Sequence, residues 1–519
     1  MVTGKVQMTR EGYAFVIVEG DEDDVFVKAS KTRGALNGDI VTVSVTREKT
    51  DRQRREGEVT AIIERSPRPF IGILHIVGNQ AWVLMESRFM PYDIVIPFTE
   101  SDKVRFRRHK VKGQSLAEPK NETGYLKPLE GDIYAVHGVH ELGEDGYGSQ
   151  ELRVRSGMKV AAVVDDWKRG EPTPTGHLVD VLGEPGENDT EMHAILAEFA
   201  LPYRFESEVA NAADRISEEI TEEDLRGRRD FRDILTFTID PADAKDFDDA
   251  LSFRKLENGN YEVGVHIADV THYVRPGSVV DEEARSRGTS VYLVDRTVPM
   301  LPEKLCNKLC SLRPNEEKLT FSAVFELTPL GRIAGQWFGK TVIYSDHRFA
   351  YEEAQEIIEG GAGKTYEGVT DPIRDAVLTL HTLATKLRKK RFANGAISFD
   401  RPEMKVEVDE KGRPVNVYQK VSKEANWLIE EFMLLANRTV AEFVATGCKG
   451  IGDASAKGRK QAKTFVYRVH DEPNQEKIEN LRNFIGNFGY KMGPTGNGKE
   501  ISKELNSLFA AAKDTPEYN

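Results

Sequence analysis

Along the first 66 residues, short runs of apolar and polar positions recur between turn signals. Gly4 to Met8, Tyr13 to Val18, Val25 to Val27 and Asp39 to Val45 are rich in β-branched or aromatic residues. Arg10-Glu11-Gly12, Glu19-Gly20-Asp21-Glu22 and Leu36-Asn37-Gly38-Asp39 separate them. Such runs bounded by Gly and Asn predict strands and turns. About five strands in some 65 residues suit a small closed barrel. A second strand-rich stretch opens at Phe70 (FIGILHIVGNQAWVLM), resumes at Gly131 and Met158, and has its last strand predicted over Gly176 to Leu182. It resembles the first stretch only weakly. Within it, Ser101 to Pro128 holds eight Lys and Arg against three acids and reads as an exposed basic loop or insertion.

The pattern changes near Gly183. After the turn-rich GEPGEND, the apolar positions Met192, Ile195, Leu196 and Phe199 predict a helix opened by Thr190, which can cap its own first turn. A second helix is predicted over Ser207 to Ser217. Thr221 and Asp224 have the spacing of a capping box, with Asp in place of the usual Glu. From Ile234 onward strands and helices mix, as in one large α+β domain. Ser422 to Val444 fits a long helix. At about 100° per residue, Ala425, Leu428, Ile429, Phe432, Leu435 and Ala436 share one face, and Asn426, Glu430 and Asn437 form a narrow polar stripe. The stripe is either a solvated surface or the lining of a site.

The 519 residues leave room for about three to five domains. With 39% hydrophobic and 30% charged residues, the chain is neither disordered nor membranous in composition, and no apolar run approaches a membrane span. Three cysteines cannot build a disulfide framework, which points to a reducing compartment, read here as the cytoplasm. The net charge of −13 argues, taken as an average, against a nucleic-acid partner.

One stretch changes that picture. In Thr236-Phe-Thr-Ile-Asp240-Pro-Ala-Asp243-Ala-Lys245-Asp246-Phe-Asp248-Asp249, an apolar strand runs into five aspartates within ten residues. Like charges packed so densely need full solvation or a cation. A calcium loop is excluded, because the positions that would need Gly and Glu hold Lys245 and Leu251. A solvated acidic turn and a carboxylate-only Mg²⁺ site for phosphoryl transfer remain. Phe247 and the flanking strands favour the second.

The Asp cluster, the strand Tyr261-Glu-Val-Gly-Val-His266-Ile-Ala-Asp269-Val-Thr-His272-Tyr273-Val and the stretch Arg287 to Ser322 (RGTSVYLVDRTVPMLPEKLCNKLCSLRPNEEKLTFS) together resemble the RNB domain of the ribonuclease II and ribonuclease R exoribonucleases. The resemblance runs from about Gly183 to the C-terminus. Glu11-Gly12-Tyr13-Ala14-Phe15-Val16 and Asp24-Val25-Phe26-Val27 are similar to the two aromatic RNA-stacking motifs of that family's cold-shock domains. The resemblance implies two OB-fold cold-shock barrels, at 1–66 and 67–185 with a basic insertion near 101–128, followed by an α+β RNB catalytic domain at 186–519.

It further implies processive 3′→5′ hydrolysis of single-stranded RNA to nucleoside 5′-monophosphates with Mg²⁺, by a monomer that binds no membrane. Asp240, Asp246, Asp248 and Asp249 fall on the metal-site aspartates, Tyr292 on a tyrosine that clamps the terminal nucleotides, Phe399 on a base-stacking aromatic and Glu430 on a channel glutamate. Tyr13, Phe15 and Phe26 would stack bases. Without the resemblance, Tyr292 reads as a core tyrosine. The family's later arginine motif and S1 barrel do not occur before Asn519, so the RNB domain is expected to be incomplete. The alternative reading is a non-catalytic RNA-binding protein or inactive fragment that holds RNA on its barrels and channel.

Other motifs carry less. His266 and His272 read as structural, and Cys306, Cys310 and Cys448 lack a fourth zinc ligand. Gly493 to Glu500 fails the P-loop pattern at its last position. Lys386 to Arg391, and the group Lys457, Arg459, Lys460, Lys463 and Arg468, are solvated faces or phosphate contacts.

Overall fold

The computed structural model describes residues 1–519 apart from 21–22, 50–53, 67, 88–89, 100–122, 143–148, 168–170, 200, 203, 361–367, 398–402, 410–411, 447–463, 470–472, 494–495, 497, 514 and 516–519. The chain forms two compact units, Met1–Arg204 and Phe205–Asn519.

In the first unit, the strands Val2–Met8, Ala14–Ile17, Val25–Val27, Ile40–Arg47 and Glu56–Glu64 close into a barrel in the order 1-2-3-5-4. Successive side chains of a strand point to opposite faces. Val6, Ala14, Val16, Val25, Val27, Val41 and Val43 therefore fill the barrel with small apolar groups. Tyr13, Phe15 and Phe26 are absent from that core.

Phe70–Val77, Gln80–Met85, Ile94–Val95, Lys159–Asp166 and Thr175–Gly183 close a second barrel in the same order. In both barrels the third and fifth strands pair in parallel. The repeat that is faint in sequence is plain in topology. A three-stranded sheet, Leu126–Pro128, Tyr134–Leu142 and Ser149–Val154, is inserted between the third and fourth strands. This corrects the C-terminal end of the predicted basic loop. Leu126 is fully buried in the second barrel's core, and its N–H and C=O bond Pro97 and Thr99. A single apolar residue among polar neighbours is too short a run to announce a strand.

The first helix also departs from expectation. It spans Asn188–Glu198 and packs on the second barrel through Ala194 and Ala197 against Ile71 and Ala161. The division between units falls after this helix, at Arg204/Phe205. Thr190 is not its cap; the residue lies inside the helix, and its hydroxyl donates to Leu182 O at 3.3 Å. Glu191 ties the helix start down, accepting from Gly186 N at 2.8 Å and from the buried Lys159 at 2.7 Å.

In the second unit, a helix over Ser207–Asp214 and the capping box of Thr221 and Asp224 lead into a seven-stranded sheet. Its spatial order is Arg229–Phe231, Ile333–Tyr344, Glu317–Leu327, Tyr261–Ala268, Asp249–Lys255, Thr236–Asp240 and His347–Ala350. Phe237, Ile239, Leu251, Val263, Val265 and Phe325 join the core formed with helices Tyr351–Ile358, Asp371–Ala393 and Glu424–Ala445. Residues of opposite parity, Ala250, Ala268 and Val324, join a different core with Leu305 and Leu309. A polar belt crosses the buried sheet. His266 Nδ1 lies 2.6 Å from Ser322 Oγ and Nε2 lies 2.8 Å from Ser252 Oγ. Burial drives the imidazole pKa down to about 3, so it stays neutral at physiological pH.

Just past this belt, Arg228 and Asp269 form an ion pair at 2.7 Å with both side chains almost wholly buried. Thr271 Oγ1 also donates to Asp269, at 2.6 Å. Removing one partner leaves a buried charge unmatched, which costs about 3–5 kcal/mol. Asp269→Ala is therefore expected to lose about that much in urea unfolding. A loss under about 1 kcal/mol would mean that water reaches Arg228 after all.

Candidate active site

Strands Thr236–Asp240 and Asp249–Lys255 start as an antiparallel pair, with Thr236 opposite Ser252 and Phe237 opposite Leu251. Beyond that register they separate. Asp240 pairs instead with Ala350 on its other side. The connecting loop is pinned at three points. The Phe247 ring sits in the apolar core. Phe247 N–H donates to Ser311 Oγ at 3.0 Å, and its carbonyl accepts from Leu312 N at 2.7 Å. Arg348 donates to the carbonyls of Pro241 and Ala242 at 2.7 and 3.0 Å. With Phe247 drawn inward, the half-buried Asp246 and the exposed Asp248 are left on either side of it.

The four predicted carboxylates form one electrostatic group. Burial raises the pKa of Asp240 to about 6, and Asp248 and Asp246 add to the rise. Thr238 and Arg348 pull it the other way, although Thr238 Oγ1 completes no hydrogen bond. Burial raises Asp249 to about 7, reinforced by Asp240 and Asp248. Asp248 is also shifted upward by burial and by Asp246. Its exposed face makes that shift count for less, because water screens it. The Tyr351 hydroxyl belongs to the same field: burial, then Asp249 and Asp240, push its pKa up to about 12. Asp243 is exposed and stands apart.

The residues fit a hard divalent cation. Asp240 Oδ2 is buried without a hydrogen-bond partner, and a cation would satisfy it. Among the described residues no three His, Cys, Asp or Glu side chains converge into a ready-made cage. An ion that keeps several waters and takes one or two carboxylates needs none. The histidines are engaged elsewhere, His266 with its two serines and His272 with Asp224 at 3.4 Å. Cys306 is half-buried and Cys310 buried, while Cys448 lies outside the described residues.

Tyr292 is brought to this group. Its hydroxyl donates to Asp246 Oδ2 at 3.4 Å, and at 67% exposure its ring is no core tyrosine. Glu430 is exposed and held by Arg391 and Arg388 of helix Asp371–Ala393. Phe399 lies outside the described residues, as do Lys457, Arg459, Lys460 and Lys463 of the second basic group. In the first unit, Tyr13, Phe15 and Phe26 form one cluster outside the barrel's core, with centroids 5.4–6.1 Å apart; Tyr13 and Phe15 are half-buried, whereas Phe26 is buried beneath its neighbours. Arg54 covers Phe26, 3.6 Å from its ring centre.

Three residues escaped sequence reasoning. Arg348 reaches the loop only because strand His347–Ala350 pairs with Thr236–Asp240 across the chain, and Tyr351 follows it. No local pattern signals either. Glu431 is buried and could have been found, because Trp427, Leu428 and Leu435 surround it at helical spacing.

The model of the RNB domain matches residues 228–519, more than half of the chain. The chain belongs to the RNB family. Models of the ribonuclease B OB domain and of a cold shock domain match residues 4–62 and 148–206 of this RNB-family chain. Ribonuclease R 1 of Lactococcus lactis is 32% identical over 99% of the chain and 56% of its own length. The chain thus spans little more than half of that relative. Mycoplasma genitalium RNase R, solved with ribose-methylated single-stranded RNA, has the same fold, with a TM-score of 0.74 at 22% identity, covering 100% of this chain and 71% of that one. Yeast Ssd1, a pseudonuclease, matches with a TM-score of 0.57 at 22% identity over 99% of this chain and 61% of its own.

Folding raises these carboxyl pKa values, so ionisation opposes folding. For Asp249 the penalty begins above the ordinary value of 3.8 and is complete above about 7. In metal-free buffer, Asp249→Asn is expected to raise stability at pH 8 by on the order of 1–3 kcal/mol and to change it little at pH 4. Millimolar Mg²⁺ should raise the parent's thermal midpoint at pH 8 much more than at pH 4. A variant less stable than the parent at pH 8 without metal would overturn this account of the site.

Proposed function

We propose that this chain carries the RNA-holding barrels and the metal site of a 3′→5′ exoribonuclease that acts on single-stranded RNA. The observation that carries the reading is the group of pinned, part-desolvated carboxylates where two adjacent strands separate, with the exposed Tyr292 hydroxyl beside it. Membership of the RNB family supports it, as does likeness of fold to an RNase R solved with single-stranded RNA.

In this reading Asp240 and Asp249 hold Mg²⁺ directly, and Asp246 and Asp248 complete its shell or orient its waters. The bound ion would supply Lewis-acid charge at the terminal phosphodiester and lower the pKa of water. Tyr292 keeps its proton at neutral pH, its pKa raised by burial and then by Asp246, and can donate to the end of the strand. Glu430 would contact the RNA strand, the role the family resemblance implies for it; Phe399 lies outside the described residues. Tyr13 and Phe15 stack bases without reading them, which suits an enzyme that must accept every base in turn, while the buried Phe26 backs them. Successive removal of nucleotides would then release 5′-monophosphates.

A second reading is a protein that binds RNA without cutting it. It is favoured by the shared fold of the Ssd1 pseudonuclease.

The test is incubation of the chain with 5′-labelled oligo(A) and Mg²⁺. Stepwise shortening is expected, lost in Asp249→Asn with binding retained. Binding by the parent with no shortening supports the second reading, and absence of binding sinks both. Separately, Phe15→Ala is expected to weaken oligo(A) binding by about 1–3 kcal/mol whatever the sequence, measured by fluorescence anisotropy.

A further inference from the structure

Two adjacent acids on helix Glu424–Ala445 have opposite surroundings. Glu430 is exposed, whereas Glu431 is 3% exposed. A carboxylate so buried needs a partner of opposite charge. Helix Asp371–Ala393 supplies one. Arg391 Nε and Nη2 donate to Glu431 Oε1 at 3.0 and 2.6 Å. The same Nη2 donates to Glu430 Oε1 at 2.8 Å. Arg388, about one turn earlier, comes within 3.6 Å of Glu430 and 3.7 Å of Glu431. Its guanidinium is itself placed over two rings, 4.4 Å from the centre of Trp427 and 4.9 Å from that of Phe392.

An exposed ion pair by itself does little, because two long side chains must be ordered to make it. Here the ordering is already done. The buried Glu431 fixes the Arg391 fork, so the N–H aimed at Glu430 stands at a set place before any ligand arrives. Planarity matters: an ammonium would give a point charge without the second, directed donor. The arginines also offset the charge of Glu430, which would otherwise repel a phosphate backbone.

We propose that Arg391 is a positioning residue, which, anchored on Glu431, holds the Glu430 carboxylate in the orientation that meets the RNA strand. The inference rests on the reading above that Glu430 faces RNA. Glu431 cannot touch a ligand itself, which makes it the decisive handle.

The experiment is equilibrium binding of a fluorescent oligo(A) in the absence of metal, with thermal midpoints recorded beside it. Glu430→Gln and Glu431→Gln are each expected to weaken binding about three- to tenfold, and the double variant no further, because both act through one carboxylate. Parent-like affinity in Glu431→Gln, with or without a lower midpoint, overturns the proposal. So does a double variant in which the two losses multiply. If Glu431→Gln does not fold, Arg391→Lys keeps a cation beside Glu431 while losing the fork, and carries the same comparison with Glu430→Gln. Parent-like binding by Glu430→Gln shows instead that Glu430 does not face RNA. That result removes this inference with its premise and leaves the oligo(A) shortening assay untouched.

Discussion

Four carboxylates held together where strands Thr236–Asp240 and Asp249–Lys255 separate repel each other, and much of the second unit serves to keep them there. Two of them are desolvated enough for their pKa values to rise to about 6 and 7. A free loop would relieve such strain by swinging outward into water. This one cannot, because Phe247 is sunk in the core, Ser311 and Leu312 hold its backbone, and Arg348 clasps the two carbonyls after Asp240. The apolar contacts stabilise the fold and oppose the repulsion through the same side chain. A cation that binds there gains the energy the fold has stored against ionisation, so affinity and strain have one origin.

The same economy explains the placement of the other charges. The strongly buried ion pair, Arg228 with Asp269, lies at the ends of two strands, just past the belt where hydroxyl groups and His266 satisfy one another. Around the helices the buried Glu431 is matched by Arg391, whose fork also reaches an exposed neighbour. The basic run Lys386 to Arg391, which by sequence is a solvated face or a set of phosphate contacts, is thus partly internal wiring. Lys386 caps the Pro329 carbonyl at 2.6 Å, and two of the arginines are committed to glutamates. The net charge of −13 says nothing about partners, since it averages an acidic site, paired networks and exposed cations.

How much of this was legible in the sequence follows from distance along the chain. The aspartates stand within ten residues and announce themselves. The aromatic cluster of the first barrel was legible for the same reason, because Tyr13 just precedes the strand that carries Phe15 and Phe26 lies opposite Phe15 on the next. Arg348 was invisible: it comes to the loop through parallel pairing of strands about a hundred residues apart, and such pairing leaves no local period. Leu126 failed as a signal because one buried residue makes no run, and Thr190 because a good capping residue lay two positions inside the true helix start. The helical wheel marks the buried face of Glu424–Ala445 but not Glu431, which lies beside that face and is buried because Arg391 pairs with it.

The two barrels carry the comparison one step further. They share strand order, and the sequences Ala14-Phe15-Val16 and Ala81-Trp82-Val83 occupy the same place in it, with the alanine and valine inward each time. The outward aromatic differs in company. Phe15 has Tyr13 and Phe26 within ring contact and Arg54 over Phe26. Trp82 has His75 opposite it at 6.4 Å, between the apolar pair Ile73 with Leu84 and the uncharged pair Val77 with Gln80. Stacking gives a base a surface, but the phosphates of the strand need cations close by. Shared topology therefore does not imply shared chemistry: among the described residues, a guanidinium stacks on the aromatic face of the first barrel and not on that of the second.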